Sequence, residues 1–369
     1  MAIKINSFQG ISAMSANGTN RFRRTNPYMS QNPLWNFPVP LAHALQGTVA
    51  GYVSAGFNPG PAQILNSIEK FPFASDANAT DVGDLSVSRY TASGQSSEVN
   101  GYVAGGFISP TTLYNTIDKF PFATNANATD IADLAVARYG LASQSSLTNG
   151  YASGGYSAGP SPPIPVPSRY RTTIDKFSFA TDSNSFNIGD LFQLRRFASG
   201  QSSDVSGYTS GGQRNPQTSP SVPTFFVNTI DKFPFALDGF VVATDVGDLT
   251  HLPIRTAGQS STVSGYVSGG YGRNPPGFPV PLSPVTTKNF INKFPFATDS
   301  NATDIADLTV SRLAASGQSS NVSGYTSGGY TASGNTFNVI DKFPFATNAN
   351  ATDVGDLTIV MNNTVGQQD

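Results

Sequence analysis

Two aspartates three residues apart recur along this chain in the phrase Thr-Asp-x-(Gly/Ala)-Asp-Leu. They are Asp81/Asp84, Asp130/Asp133, Asp245/Asp248, Asp304/Asp307 and Asp353/Asp356, with Asn187 and Asp190 in the remaining copy. Paired carboxylates offer hard oxygen ligands, so Ca²⁺ is the first chemistry to consider. The alternative is structural: the aspartates cap turns through Asx hydrogen bonds, or pair between repeats with the arginines that follow, Arg89, Arg138, Arg255 and Arg312. A ligand site rarely needs six copies, so repetition favours structure, and no metal or other cofactor is expected. Other reactive groups are sparse. Cysteine is absent, which removes thiolate chemistry and disulfides. The two histidines, His43 and His251, occupy non-equivalent places and read as surface or packing residues. No phosphate-binding or dinucleotide motif rises above the background of a chain with 36 glycines. No enzyme activity is expected.

The aspartates close a longer phrase written six times. A Gly-Tyr pair begins it at Gly51, Gly101, Gly150, Gly207, Gly265 and Gly324, at spacings of 50, 49, 57, 58 and 59 residues. A Lys-Phe-x-Phe-Ala block follows each time, starting at Lys70, Lys119, Lys176, Lys232, Lys293 and Lys342. In the second copy, the small polar segment from Arg89 to Val99 reads as one strand and 101–107 as the next. Residues 115–120 read as a third strand, ended by Pro121, which has no N–H to give an interior ladder. After the turn formers 124–128, a fourth strand runs through Ile131 to Leu134. Four short strands in about 50 residues, repeated, describe a propeller blade. With 38% hydrophobic residues, 12% charged residues and 26 prolines, the composition suits short strands and tight turns.

An arginine, a small-residue strand, Tyr-Val-x-Gly-Gly, a variable loop and a hydrophobic-acidic-x-aromatic strand together resemble the kelch repeat. The resemblance covers residues ~48 to 369 and implies an all-β, six-bladed kelch-like β-propeller. Kelch repeats usually carry a tryptophan in the fourth strand. None stands here, and its packing role would fall to Phe73, Phe122, Phe179, Phe235, Phe296 and Phe345. In kelch order the small strand is innermost and lines a channel. One glutamine per unit then forms a ring: Gln95, Gln144, Gln201, Gln259, Gln318 and, from the C-terminus, Gln367. Residues 361–369 would supply the inner strand of the first blade and close the circle; closure by 46–49 is the alternative. The copper site of some kelch-like oxidases lacks its cysteine here, and sialidase-type boxes need tryptophans that the repeats do not have.

Residues 1–46 stand outside the repeat as an N-terminal arm, with the propeller spanning 47–369. The arm carries Lys4, Arg21, Arg23 and Arg24 and no acid, so it is +4 and leaves −6 for the rest of a chain of net charge −2. It also holds the sole tryptophan, Trp35, near Phe37. A basic segment with a few large apolar anchors suits docking onto a partner, with Arg21, Arg23, Arg24, Trp35 and Phe37 as contact residues; a solubilising tail is the alternative. The loops at 157–169, 213–225 and 271–288 differ from unit to unit and read either as binding loops or as tolerated insertions. An acidic ring with its aromatics in strand positions argues against nucleic-acid binding. The sequons at Asn78, Asn127, Asn301 and Asn350 read as turns. No apolar run resembles a signal peptide or is long enough to span a bilayer.

The phrase from Ile-Asp-Lys-Phe-Pro-Phe-Ala to Asp-Leu is also similar to kelch-like repeats in structural proteins of marine cyanobacterial phages. That resemblance implies a non-enzymatic virion protein, tail- or capsid-associated, assembled in the host cytoplasm and present in multiple copies. Its partners would be other virion proteins and a host-surface glycan or protein, without membrane insertion. The other class is a cellular carbohydrate-binding or adhesive propeller.

Overall fold

The computed structural model describes residues 46–109, 112–158, 169–215, 225–236, 239–275 and 284–369. The arm residues Arg21, Arg23, Arg24, Trp35, Phe37 and His43, and residues 159–168, 216–224 and 276–283 of the variable loops, lie outside that set. The described chain is all-β, with no helix. Its frame is six antiparallel sheets, each built on four strands. The second sheet runs, from inner to outer, Ser93–Ser96, Asn100–Ala104, Thr116–Pro121 and Thr129–Asp133. Pro121 fills the last pairing position of its strand, opposite Asn100, and the N–H of Phe122 then donates to the Val99 carbonyl.

The first sheet takes its inner strand from the other end of the chain. Val365–Gln368 pairs antiparallel with Ala50–Asn58, placing Gly51 opposite Gln368 and Ser54 opposite Val365. The N-terminal side adds only a fringe: Thr48 and Val49 donate to the Asp369 carbonyl, and Gly47 donates to that of Ser319. Each inner strand packs beside that of the following sheet, and Ser316–Ser319 of the sixth packs beside Val365–Gln368 of the first.

The core lies between sheets and explains the repeated words. The tyrosine of each Gly-Tyr pair stacks on the second phenylalanine of the next sheet's Phe-x-Phe, with centroids 4.6–4.8 Å apart, and tilts onto the first at 5.5–5.6 Å. Tyr325 of the sixth sheet meets Phe71 and Phe73 of the first. The glycine before each tyrosine is fixed by its own sheet: a Cβ there would lie 2.3–2.4 Å from the ring of Phe71, Phe120, Phe177, Phe233, Phe294 or Phe343. Burying rings of this size contributes on the order of 2 kcal/mol each, which makes the repeated aromatics the main cohesive term.

A second clasp holds the outer rim. The side-chain oxygens of Asn78, Asn127, Asn184, Asn301 and Asn350 each accept the N–H of an aspartate in the preceding unit, Asp356, Asp84, Asp133, Asp248 and Asp307, at 3.0 Å. Four of these are the sequon asparagines, so the turns they form bind neighbouring sheets together. The third rim differs. There Val241–Val242 pairs in parallel with the outer strand Phe186–Arg195, opposite Gly189 and Asp190.

Candidate functional site

Small residues bring the six inner strands to within backbone contact. A Cβ on Gly200 would sit 1.9 Å from the Ser143 carbonyl oxygen, and one on Gly366 would sit 2.1 Å from that of Gly317. Residues from all six strands line one cavity, mainly glycines and serines, joined by Gln144, Gln201, Gln259 and Gln368. The six glutamines expected to ring this channel are buried to 2% exposure or less. Strand alternation aims them between sheets. Each Nε2 donates to a tyrosine carbonyl of the next unit: Gln95 to Tyr151, Gln144 to Tyr208, Gln201 to Tyr266, Gln259 to Tyr325, Gln318 to Tyr52 and Gln367 to Tyr102, at 2.8–3.2 Å. The cycle returns to its start. In five units the glutamine oxygen accepts a serine hydroxyl of its own sheet; Ala104 takes that serine's place in the second, and Gln95 Oε1 is left unpartnered.

A second cycle sits just before the inner strands. Thr91, Gly140, Phe197, Arg255, Ala314 and Asn363 all have φ between 53° and 66°. Each donates its N–H to the carbonyl of its counterpart one unit back, at 2.7–3.0 Å, and Thr91 donates to Asn363. Left-handed backbone costs a non-glycine residue about 1 kcal/mol. Five of the six accept that cost, so the collar of hydrogen bonds decides the conformation. A third series runs along the cavity wall, where the N–H groups of Gln368, Ser96, Ser145, Ser202 and Ser260 donate to Ser96, Ser145, Ser202, Ser260 and Ser319 Oγ.

The charged groups find other partners than expected. Arg89, Arg138 and Arg312 bind Asp118, Asp175 and Asp341, the acids of the third strand, with both side chains fully buried, and Arg195 binds Asp231 likewise. The paired aspartates of the outer strand are not their partners. Asp81, Asp245 and Asp353, like Asn187, instead accept the N–H two residues on, an Asx turn. Among the described residues no cluster of three or more acids or histidines could hold a metal. Arg255 is displaced by two positions: Pro253 stands where four other units have the buried arginine, and Asn292 takes the place of the facing acid. His251 stacks on Phe290 at 4.6 Å and 3°, and burial pushes its pKa down to about 4, so it is a neutral packing residue.

The first unit keeps its acid and lacks the cation. Glu69 is buried; Thr358 donates to it through both its N–H and its hydroxyl, and Met361 occupies the arginine position. Burial raises its pKa, and Asp81 adds to the rise. A carboxyl whose folded pKa is raised takes up its proton more readily when folded, so its contribution becomes more favourable as pH falls from neutral toward the ordinary carboxylate range. Melting curves of wild type and Glu69→Gln should therefore shift in favour of wild type as pH falls. A pH-independent difference would contradict this. Met361→Arg should abolish or reverse the trend by supplying the missing partner.

One face stands apart from the repeated scaffold. Around the collar, Phe57, Tyr90, Phe107, Tyr139 and Tyr156 form a train of rings with centroids 4.5–6.2 Å apart, continued by Tyr170. Arg196 lies 4.8–5.7 Å from the ring centroids of Tyr139, Tyr156, Tyr170 and Phe197 and donates to the Tyr139 hydroxyl. Arg255 covers Phe197 at 4.3 Å and donates to Tyr330 Oη and Asn363 Oδ1. Short pairings at the bases of the variable loops add Arg214 over Phe225 and Arg273 over Phe226. Among the described residues, none of Arg196, Arg214, Arg255 and Arg273 is ion-paired with a carboxylate. The signal for this face lay in the positions flanking the repeated words: Phe, Tyr or Gln after Gly-Gly, and Tyr, Arg, Ile, Leu or Asn before the inner strand. No family model matches the chain, and no curated protein matches it significantly.

Proposed function

We propose that the six sheets are the blades of one kelch-like β-propeller, closed by the C-terminal strand, and that it works as a non-enzymatic binding and assembly module. Closure is supported by the glutamine and collar hydrogen bonds, both of which run through six units and return to the first. The function rests on how residues are divided. The repeated tyrosines, phenylalanines, glutamines and rim asparagines are occupied with neighbouring sheets, whereas the units differ at the Tyr/Phe/Arg face, as a rigid scaffold with a variable contact surface would. The cavity offers hydroxyl, amide and backbone groups and no carboxylate, imidazole or amine for proton transfer.

In this reading the chain is a virion structural protein, tail- or capsid-associated, as its resemblance to phage kelch-like proteins implies. The arginine-rich loop face meets an acidic virion neighbour or host-surface molecule. Arg214→Glu with Arg273→Glu should weaken binding to particles lacking the protein, or to host envelopes, by at least about tenfold at low salt and less at high salt. Unchanged binding would move the contact away from this face. A second reading, a cellular carbohydrate-binding propeller, draws support from Tyr139, Tyr156 and Tyr330, whose rings and hydroxyls suit sugar stacking and hydrogen bonding. Binding of the isolated chain to a glycan array would favour it.

A further inference from the structure

One repeated side chain has no part in holding the sheets together. The hairpin between inner and second strands carries Val99, Val205, Val263 and Val322 at one equivalent position and Leu147 in the same turn of the third unit; Val49 holds the equivalent position in the first unit, just before its second strand. These six are 53–68% exposed. The turn backbone is engaged: the carbonyls of the five valines accept the N–H of Phe73, Phe122, Phe235, Phe296 and Phe345, and that of Thr148 accepts the N–H of Phe179. A serine also bridges the turn in the second to sixth units. Ser97, Ser146, Ser203, Ser261 and Ser320 Oγ accept the N–H of the residue three positions on. The fold needs that backbone and that serine, yet nothing in it calls for an aliphatic side chain pointing to solvent. A lone exposed valine is unremarkable; one per unit at a single end is a patch. The turns follow the inner strands and the collar precedes them, so the six lie at the end opposite the Tyr/Arg face.

We infer that this crown docks against the crown of a second copy, forming a face-to-face dimer. The inference rests on the six units sharing one axis. A twofold interface must be complementary to itself. A set of aliphatic groups repeated once per unit meets that condition at several rotations, whereas a foreign partner would have to reproduce the spacing. Stacking against the opposite face of a second copy would set the valines against guanidinium groups. Two crowns together offer on the order of 1,000 Å² of buried surface, near the lower limit for a specific interface. The hydrogen-bonded turns already hold these side chains, so little ordering entropy opposes docking.

Sedimentation of the full chain at micromolar concentration should show a dimer. Val205→Asp, Val263→Asp and Val322→Asp combined should weaken self-association at least about tenfold at unchanged Tm. Val242→Asp, equally exposed on the outer rim, and Arg214→Glu, on the loop face, should leave it intact. The corresponding Val→Thr set repeats the test without altering turn shape if aspartate lowers Tm. A monomer at tens of micromolar overturns the inference, as does a dimer that survives the crown variants or is lost only on deleting residues 1–40. An opened ring would be recognised separately, by fast amide exchange at the collar, whereas a wrong crown leaves a monomer with the collar protected.

Discussion

Deleting residues 361–369 will turn a monodisperse chain into one that aggregates and lacks a single cooperative melting transition. The deletion removes Val365–Gln368 from the edge of Ala50–Asn58, exposing a nine-residue strand whose N–H and C=O groups then pair with whatever they meet. It takes Gln367 from Tyr102, Asn363 from the collar and Met361 from the core between the sixth and first sheets. The fringe at Gly47–Val49 cannot substitute, because its own acceptor for two N–H groups is the Asp369 carbonyl. Light scattering and calorimetry check this. A truncated chain with unchanged particle size and Tm would mean that the N-terminal side holds the first sheet.

Phe120→Ala should cost about 3–5 kcal/mol in equilibrium unfolding, the range for truncating a large buried aromatic. Phe120 is 1% exposed and is gripped from both sides: Gly101 of its own sheet leaves room for the ring, and Tyr52 of the preceding sheet tilts onto it at 5.5 Å. The cavity would open between two sheets whose backbones are pinned by the glutamine and collar bonds, so little collapse can fill it. Phe186→Ala, at a ring 58% exposed, should stay within about 0.5 kcal/mol. A loss below about 1 kcal/mol at Phe120 would contradict the packing scheme.

The strands were legible because each carries a local signature. Gly-Tyr, Phe-Pro-Phe and Gly-Gly name positions where a ring, a strand end or a left-handed turn admits few residues. The partners were less legible. The second, fourth and sixth units each set three aspartates against one buried arginine, and spacing alone put the outer-strand pair forward as its partner rather than Asp118 and its counterparts. Burial decides the matter, since the third strand is the one that can exclude water from the ion pair. Arg255 misled for a related reason. Pro253 took over the buried position and Asn292 gave up the charge with it, a compensation visible only once the two strands face each other. The glutamines were legible as one per inner strand, but not their partners: Gln144, Gln201 and Gln259 touch the cavity, while all six amides bond to the next unit's tyrosine carbonyl, which spacing does not state. The collar had no sequence signal: its six residues share a φ and no chemistry.

Hydrogen exchange at the collar tests the closed ring most directly. The Thr91 amide donates to Asn363 across the seam between the chain's two ends, whereas the amides of Gly140, Phe197 and Asn363 donate within a continuous stretch. A closed ring predicts that all four, with Arg255 and Ala314, exchange together and only through global unfolding. Fast exchange at Thr91, with protection kept at Gly140, Phe197 and Asn363, would show that the six sheets form an open array.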